Sequence, residues 1–265
     1  MTAPRQPGGP VGAEAGHGLT GVPDAGAFLA RLTRLDPATL VRLRSVAGPE
    51  TTGPEDSGQE PIAREATGPE SAGPEDAGRT ALWARLPWGV LVCRTVAGAG
   101  PGDATVAAAE LLAELGRAGK RLPGRRDAQW RWPLPSSTGR LVETVAGADL
   151  RRIAAAAAGT LRTAATEGVA GRAVGQRVLR DALLDHVAMV VTDQPAGAAR
   201  IEVSQRLVQA VVRMGFLGPA ETATDDRVHV RLAGRWVGLS APFGAAWSLK
   251  VSEMRLTPVG DRPNV

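Results

Sequence analysis

Ser240 lies in Gly238-Leu239-Ser240-Ala241-Pro242, a nucleophile elbow with its last glycine missing. A serine nucleophile needs a base within hydrogen-bond reach and an acid behind it. His186 would have to be that base, oriented by Asp185 or Asp181. Asp181 and Asp185 share a helix face at i, i+4, and paired carboxylates can do acid–base work. Arg177 and Arg180 precede them at salt-bridge spacing, so a solvated helix face is the simpler account. Gly98, Gly100 and Gly102 stand between a strand pattern and a helix pattern, where phosphate-binding glycines sit. The dinucleotide fingerprint requires glycine at position 103. Asp103 stands there instead, and its carboxylate would repel a phosphate. No Lys-Ser or Lys-Thr follows to complete a Walker loop. Cys93, the single cysteine, sits in an apolar run and reads as an inert buried thiol. One cysteine and three histidines (His17, His186, His229) exclude an intramolecular disulfide framework and a cysteine-clustered zinc site. These residues make no catalytic constellation. No metal or cofactor is expected, and an enzyme is the less favoured class.

Two other groupings suit binding. Residues 120–135, KRLPGRRDAQWRWPLP, carry Lys120, Arg121, Arg125, Arg126 and Arg131 against Asp127, with Trp130 and Trp132 interleaved. In an extended chain the two tryptophans share one face and Arg131 takes the other. Cations beside aromatic platforms suit single-stranded nucleic acid. Tryptophan is costly to expose, so a core-anchoring pair beneath a basic loop is the plainer account. The second grouping is a helix expected at 202–216. Val203, Leu207, Ala210, Val211 and Met214 form its apolar stripe, and Gln205, Arg206, Gln209 and Arg213 fall opposite. At 100° per residue these four occupy about a quarter to a third of the circumference. Arginine and glutamine read base edges. A helix before this one and a hairpin after it give an order that resembles a winged helix. Against it stand the long connection over 192–200 and the near-balanced charge of 176–262, eleven bases and nine acids.

The elements that must position these residues follow from periodicity. Asp24 is an expected N-cap, and Phe28, Leu32 and Leu35 then repeat at helical spacing. Residues 40–46 alternate as a strand. With the run RTALWARLPWGVLVCRTVAG, whose Leu82, Ala84 and Leu86 share one face and whose Val90-Leu91-Val92-Cys93 resumes as a buried strand, they predict a three-stranded antiparallel meander turned at Pro87-Trp88-Gly89. Asp103 is expected to cap a helix holding Val106, Leu111, Leu112 and Leu115, and 140–146 to form another strand. Three helices should follow, within ADLRRIAAAAAGTLRTAATEG, GRAVGQRVLRDALLDHVAMVV and IEVSQRLVQAVVRMGFLG. A hairpin is expected across Ala233-Gly234. Residues 48–58 (GPETTGPEDSG) and 68–78 (GPESAGPEDAG) agree at eight of eleven positions, a tandem duplication offset by twenty. Eight acids against Arg64 make 48–78 net −7, leaving +11 elsewhere in a chain of net +4. Such a composition cannot bury enough apolar surface to fold, so an inert inserted loop is expected rather than an acidic cover for a basic surface.

The chain has 265 residues, enough for a sizeable core in one or two domains. All its basic residues but Lys120 and Lys250 are arginine, and tyrosine is absent. With abundant Ala, Gly and Pro, this matches GC-rich coding, so the basic balance alone does not indicate nucleic acid. No apolar run reaches membrane-spanning length, and the N-terminus lacks the order of a signal peptide; a cytoplasmic location is expected. The strings RRDAQWRWPLP (125–135), RVLRDALLDHVAMVVT (177–192) and QRLVQAVVRMGFLG (205–218) resemble a family of uncharacterised actinobacterial proteins. The resemblance runs from about residue 24 onward, apart from the acidic repeat. It implies no catalytic or binding residues. Members of that family lack the long repeat, which fits an insertion.

The expectation is therefore an α+β protein. A tail (1–22) precedes an α+β domain (23–147) interrupted by the loop 48–78. A helical domain with a C-terminal, winged-helix-like hairpin (148–258) and a short tail (259–265) follow. Function is expected through binding, with an unidentified protein partner and no membrane. A DNA-binding regulator is the alternative, and a metabolic enzyme without a recognisable motif comes third.

Overall fold

Strands with alternating burial dominate the computed structural model, which describes residues 16–46, 78–136, 139–168, 175–193, 199–220 and 226–249. The acidic repeat, but for Gly78, and the segments 1–15 and 250–265 lie outside the described residues. The elements are α1 (Val22–Leu35), β1 (Leu40–Val46), β2 (Arg79–Arg85), β3 (Leu91–Ala97), β4 (Asp103–Ala107), α2 (Ala108–Gly116), β5 (Arg140–Ala146) and α3 (Gly147–Glu167). Then come α4 (Gln176–Asp185), β6 (Val187–Asp193), β7 (Ala199–Ser204), α5 (Gln205–Arg213), β8 (Arg227–Ala233), β9 (Trp236–Ala241) and β10 (Gly244–Leu249). The class is α+β.

Eight strands form one antiparallel sheet in the order β4-β1-β2-β3-β10-β9-β8-β5, and β6 pairs with β7 apart from it. Outward from the β3–β10 seam the halves mirror each other. Each is a three-strand meander followed by an outer strand that runs straight into a helix, β4 into α2 and β5 into α3. Each meander is preceded by a helix, α1 or α5. In β2 the period of two sends Leu82 and Ala84 to the helices and Trp83 and Arg85 to the opposite face. The helix-side core runs through both halves, from Phe28 and Leu32 of α1 and Leu111 of α2 to Leu150 of α3 and Leu207 and Val211 of α5. Phe28 stacks on Phe216 across the halves, with centroids 6.3 Å apart.

Several expectations change. Gly16, within the segment expected as a tail, forms a bridge with Arg121; residues 1–15 lie outside the described residues. His17 is buried; its Nε2 donates to the Gly119 carbonyl (2.9 Å) and its Nδ1 accepts from the Leu19 N–H (3.0 Å), a pairing that selects the neutral Nε2–H tautomer. Helix α1 starts at Val22, and Asp24 sits in its first turn, where its carboxylate takes Arg94 Nη2 at 2.6 Å. Asp103 opens β4 rather than a helix, because Ala104 and Val106 alternate into the core. The second and third expected helices each divide. β-Branched Val190, Val191 and Thr192 extend as β6, and Ile201 and Val203 point inward on β7. No winged helix forms among the described residues: β8 and β9 continue into β10 and belong to the main sheet. The strand β5, read with the first half, pairs with β8 of the second.

Val46 and Arg79 are register partners, so the chain leaves and re-enters the sheet at one point. Deleting residues 49–77 should therefore leave a hairpin closed by Ala47, Gly48 and Gly78. The expected melting temperature is within a few degrees of the parent. A drop beyond about 5 °C, roughly 1–2 kcal/mol, would show that the segment packs on the body.

Candidate functional site

The sequence-selected residues fall into two groups on opposite faces of the sheet. On the helix side, α3, α4, α5 and the β2–β3 turn enclose a cleft of ≈ 770 Å³. Leu35, Leu161, Leu183 and Trp88 are its main apolar lining residues. Arg162, Arg177, Arg180, Arg206 and Arg213 also line it, against Asp181 and Asp185. Arg206 is fixed on two sides: its Nε donates to Asp185 Oδ1 (2.6 Å) and its Nη1 to the Trp88 carbonyl (2.7 Å). Trp88 Nε1 in turn donates to the Arg206 carbonyl (3.2 Å), and the Arg213 guanidinium lies 5.6 Å from the Trp88 ring centre. The Arg206 hydrogen bond holds the Asp185 carboxyl below the usual carboxylate range. Arg177 and Arg180 each stand 3.9 Å from Asp181, and no carboxylate among the described residues lies within 4.0 Å of Arg162 or Arg213.

The expected polar face of α5 is not an open one. Gln205 is buried at 2% exposure, with its backbone N–H on the His186 carbonyl and its Nε2 without an acceptor among the described residues. Gln209 is half-buried and donates to the Ala154 carbonyl at 3.4 Å. Only Arg213 of the four is fully exposed. The cause is packing from two sides: α3 and α4 cover α5 as well as the sheet.

Arg125, Arg126, Trp130 and Trp132 lie on the other face, in a strap over 121–136 that crosses from β4 towards β5. Arg125 pairs with Asp127 (2.6 Å) and donates to the Asp103 carbonyl (2.7 Å), and Arg126 pairs with Glu110 (2.6 Å). Trp130 Nε1 donates to the Trp132 carbonyl (2.7 Å), and its ring packs on an outer cluster of Leu91, Ala233, Trp236 and Trp247. Trp132 is 38% exposed and caps the Arg85 guanidinium, 3.8 Å from its ring centre. The sharing of one face by the two tryptophans thus ends in different roles, Trp130 anchored and Trp132 laid over a cation.

The remaining motifs are structural. A Cβ at Gly98 (φ +118°) would fall 2.3 Å from the Gly18 carbonyl oxygen, and one at Gly100 (φ +67°) 2.3 Å from Thr80 Oγ1. The glycine loop serves close backbone packing. Ser240 faces His229 across β8–β9, not His186, and the His229 ring is bonded to Thr144 Oγ1 at 3.1 Å. Burial pushes the Cys93 thiol up to about 12. No group of three or more potential metal ligands stands together among the described residues. None of their helices is long and apolar enough to cross a membrane. The sequence singles out Arg177, Arg180, Asp181, Asp185, Arg206, Gln209 and Arg213 as two separate helix faces, and only the fold brings them together with Trp88 and Arg162 in one cleft.

Two outcomes test this geometry. Gln205→Met should hold or raise stability in urea unfolding, because it removes a buried amide donor without an acceptor, a burden of about 1–3 kcal/mol. A loss above about 1 kcal/mol would place an unrecognised partner on that amide. The second concerns acid. Arg42 grips Asp103 through two bonds, and the Thr105 N–H and then Arg125 hold Asp127; both carboxyls lie below their usual range. A depressed carboxyl stabilises above its unfolded value, ~3.9, and that stability is lost as pH falls through the lower folded value. Stability should thus fall on acidification from about pH 5, and Asp127→Asn should flatten the slope.

With the geometry described, comparison adds little chemistry. Residues 20–132 match a model described as Domain of unknown function (DUF8010), and residues 134–253 one described as Domain of unknown function (DUF8185). The two matches meet inside the strap. No curated protein matches the sequence. Among solved structures the chain is similar to a crystal structure of DNA polymerase sliding clamp from Pseudomonas aeruginosa with ligand, at 13% identity and a TM-score of 0.44. That alignment covers 92% of this chain and 64% of the clamp chain, so this chain spans less than two thirds of the clamp's length.

Proposed function

We propose that the protein acts by binding a protein partner, and that the cleft between α3, α4, α5 and the β2–β3 turn is the interface. One observation carries this reading: Arg206 and Trp88 lock each other through reciprocal backbone bonds, while Arg162 and Arg213 line the same cleft with no carboxylate within 4.0 Å among the described residues. A preformed wall with such cations beside leucine side chains suits recognition of a partner. The alternative, a DNA-binding regulator, needs Gln205 and Gln209 free to address adenine. Gln205 is buried and Gln209 is engaged, which favours the protein partner.

The test is affinity capture from the native host at physiological salt, with and without nuclease. Wild type and Trp132→Ala should retain the same protein, and Arg162→Glu with Arg213→Glu should lose it. Both substituted arginines are exposed, so melting should change little. Capture that survives the charge reversal, or that vanishes with nuclease, would overturn the reading.

A further inference from the structure

Resting on the cleft as the interface, we infer that its occupant is an acidic segment of a partner protein that also carries aliphatic anchors. Five arginines and two aspartates line the cleft, a balance of three positive charges. Asp185 answers Arg206 at 2.6 Å, whereas Asp181 sits at 3.9 Å from both Arg177 and Arg180 and satisfies neither closely. Among the described residues Arg162 on α3 and Arg213 at the end of α5 have no carboxylate within 4.0 Å, and Arg177 and Arg180 on α4 share the single Asp181. They come from three helices and line one cleft. A planar fork of N–H donors fits a carboxylate through two bonds, so several forks on separate helices select several carboxylates spaced along a chain. Leu161, Leu183 and Leu35 between them ask for aliphatic side chains from the same segment.

Phosphodiester chains carry charge of the same sign, but the lining suits them less. Leu35, Leu161 and Leu183 in the lining offer a sugar-phosphate chain no partner, whereas they match aliphatic side chains of a peptide. Trp88 is no free stacking platform, since Arg213 lies over its ring and its N–H is bonded to the Arg206 carbonyl. Base stacking on open aromatic faces is what sequence-tolerant single-strand binding requires.

The full chain is titrated into a fluorescein-labelled synthetic peptide of about 16 residues built from glutamate with leucine at helical spacing, read by anisotropy. Three controls accompany it: lysine for glutamate, serine for leucine, and a labelled thymidine oligonucleotide of similar length. The acidic leucine peptide should bind saturably at about 50 mM salt and weaken towards about 500 mM. Each control should bind at least about tenfold more weakly. Arg162→Ala with Arg213→Ala should cost about tenfold or more, and Trp132→Ala on the far face should cost nothing measurable. If the first pair lowers the melting temperature, Arg162→Ala with Arg180→Ala, both exposed, replaces it. Absence of saturable binding, equal binding of the serine or lysine peptide, or tighter binding of the oligonucleotide would overturn the inference. If host capture still depends on the cleft while this peptide fails, only the acidic occupant falls. Capture indifferent to the cleft removes both.

Discussion

β3 and β10 meet at three paired positions, Ala245 with Cys93, Ala246 with Val92 and Trp247 with Leu91, and this short seam joins two four-stranded halves into one sheet. Backbone pairing over so few residues is weak alone, so the halves are tied on both faces. On the helix side Phe28 of the first half stacks on Phe216 of the second. Near the seam's end Arg94 reaches both Asp24 and the Phe243 carbonyl, linking α1, β3 and the β9–β10 turn. Gly244 keeps that turn close, since a Cβ there would meet the Phe216 ring at 2.5 Å.

On the opposite face the strap does the same by a different route. It is fastened to β4 through Asp127 on the Thr105 N–H, lays Trp130 and Trp132 over the middle strands, and delivers the chain to β5 at the far edge. The two cation–aromatic contacts differ in kind. Arg42 under Trp130 is answered by Asp103, whereas Arg85 under Trp132 loses water with no anion in return among the described residues, and burial lowers its affinity for the proton. The strap is thus a cover that completes an apolar cluster, and its Arg125 and Arg126 are held in ion pairs with Asp127 and Glu110.

The cleft follows from the asymmetry between the halves. In the first, α1 and α2 pack on each other and close the sheet. In the second, α4 and the β6–β7 hairpin are inserted between α3 and α5 in the chain, and α3 is 21 residues long but buries only its first three turns. Its remaining length stands away from the sheet. The space left between it, α4 and α5 is lined by Arg162, Arg206 and Arg213 together with leucine side chains.

Local pattern sufficed for β1, β2, β3, β5, β8 and β9, for α1 and for α3, because alternation and helical spacing are set by near neighbours along the chain. What lay beyond the sequence was everything fixed by a second layer. VAMVVTD carries apolar residues that fit a helix or a strand, and pairing with β7 decided for a strand. Gln205 stands on the polar side of α5 in projection, but α3 and α4 cover that side, and a glutamine chosen for a groove became a buried amide. Amphipathic projection assumes one buried face per helix. It fails where a helix is packed from two sides, and only the tertiary structure determines which helices those are.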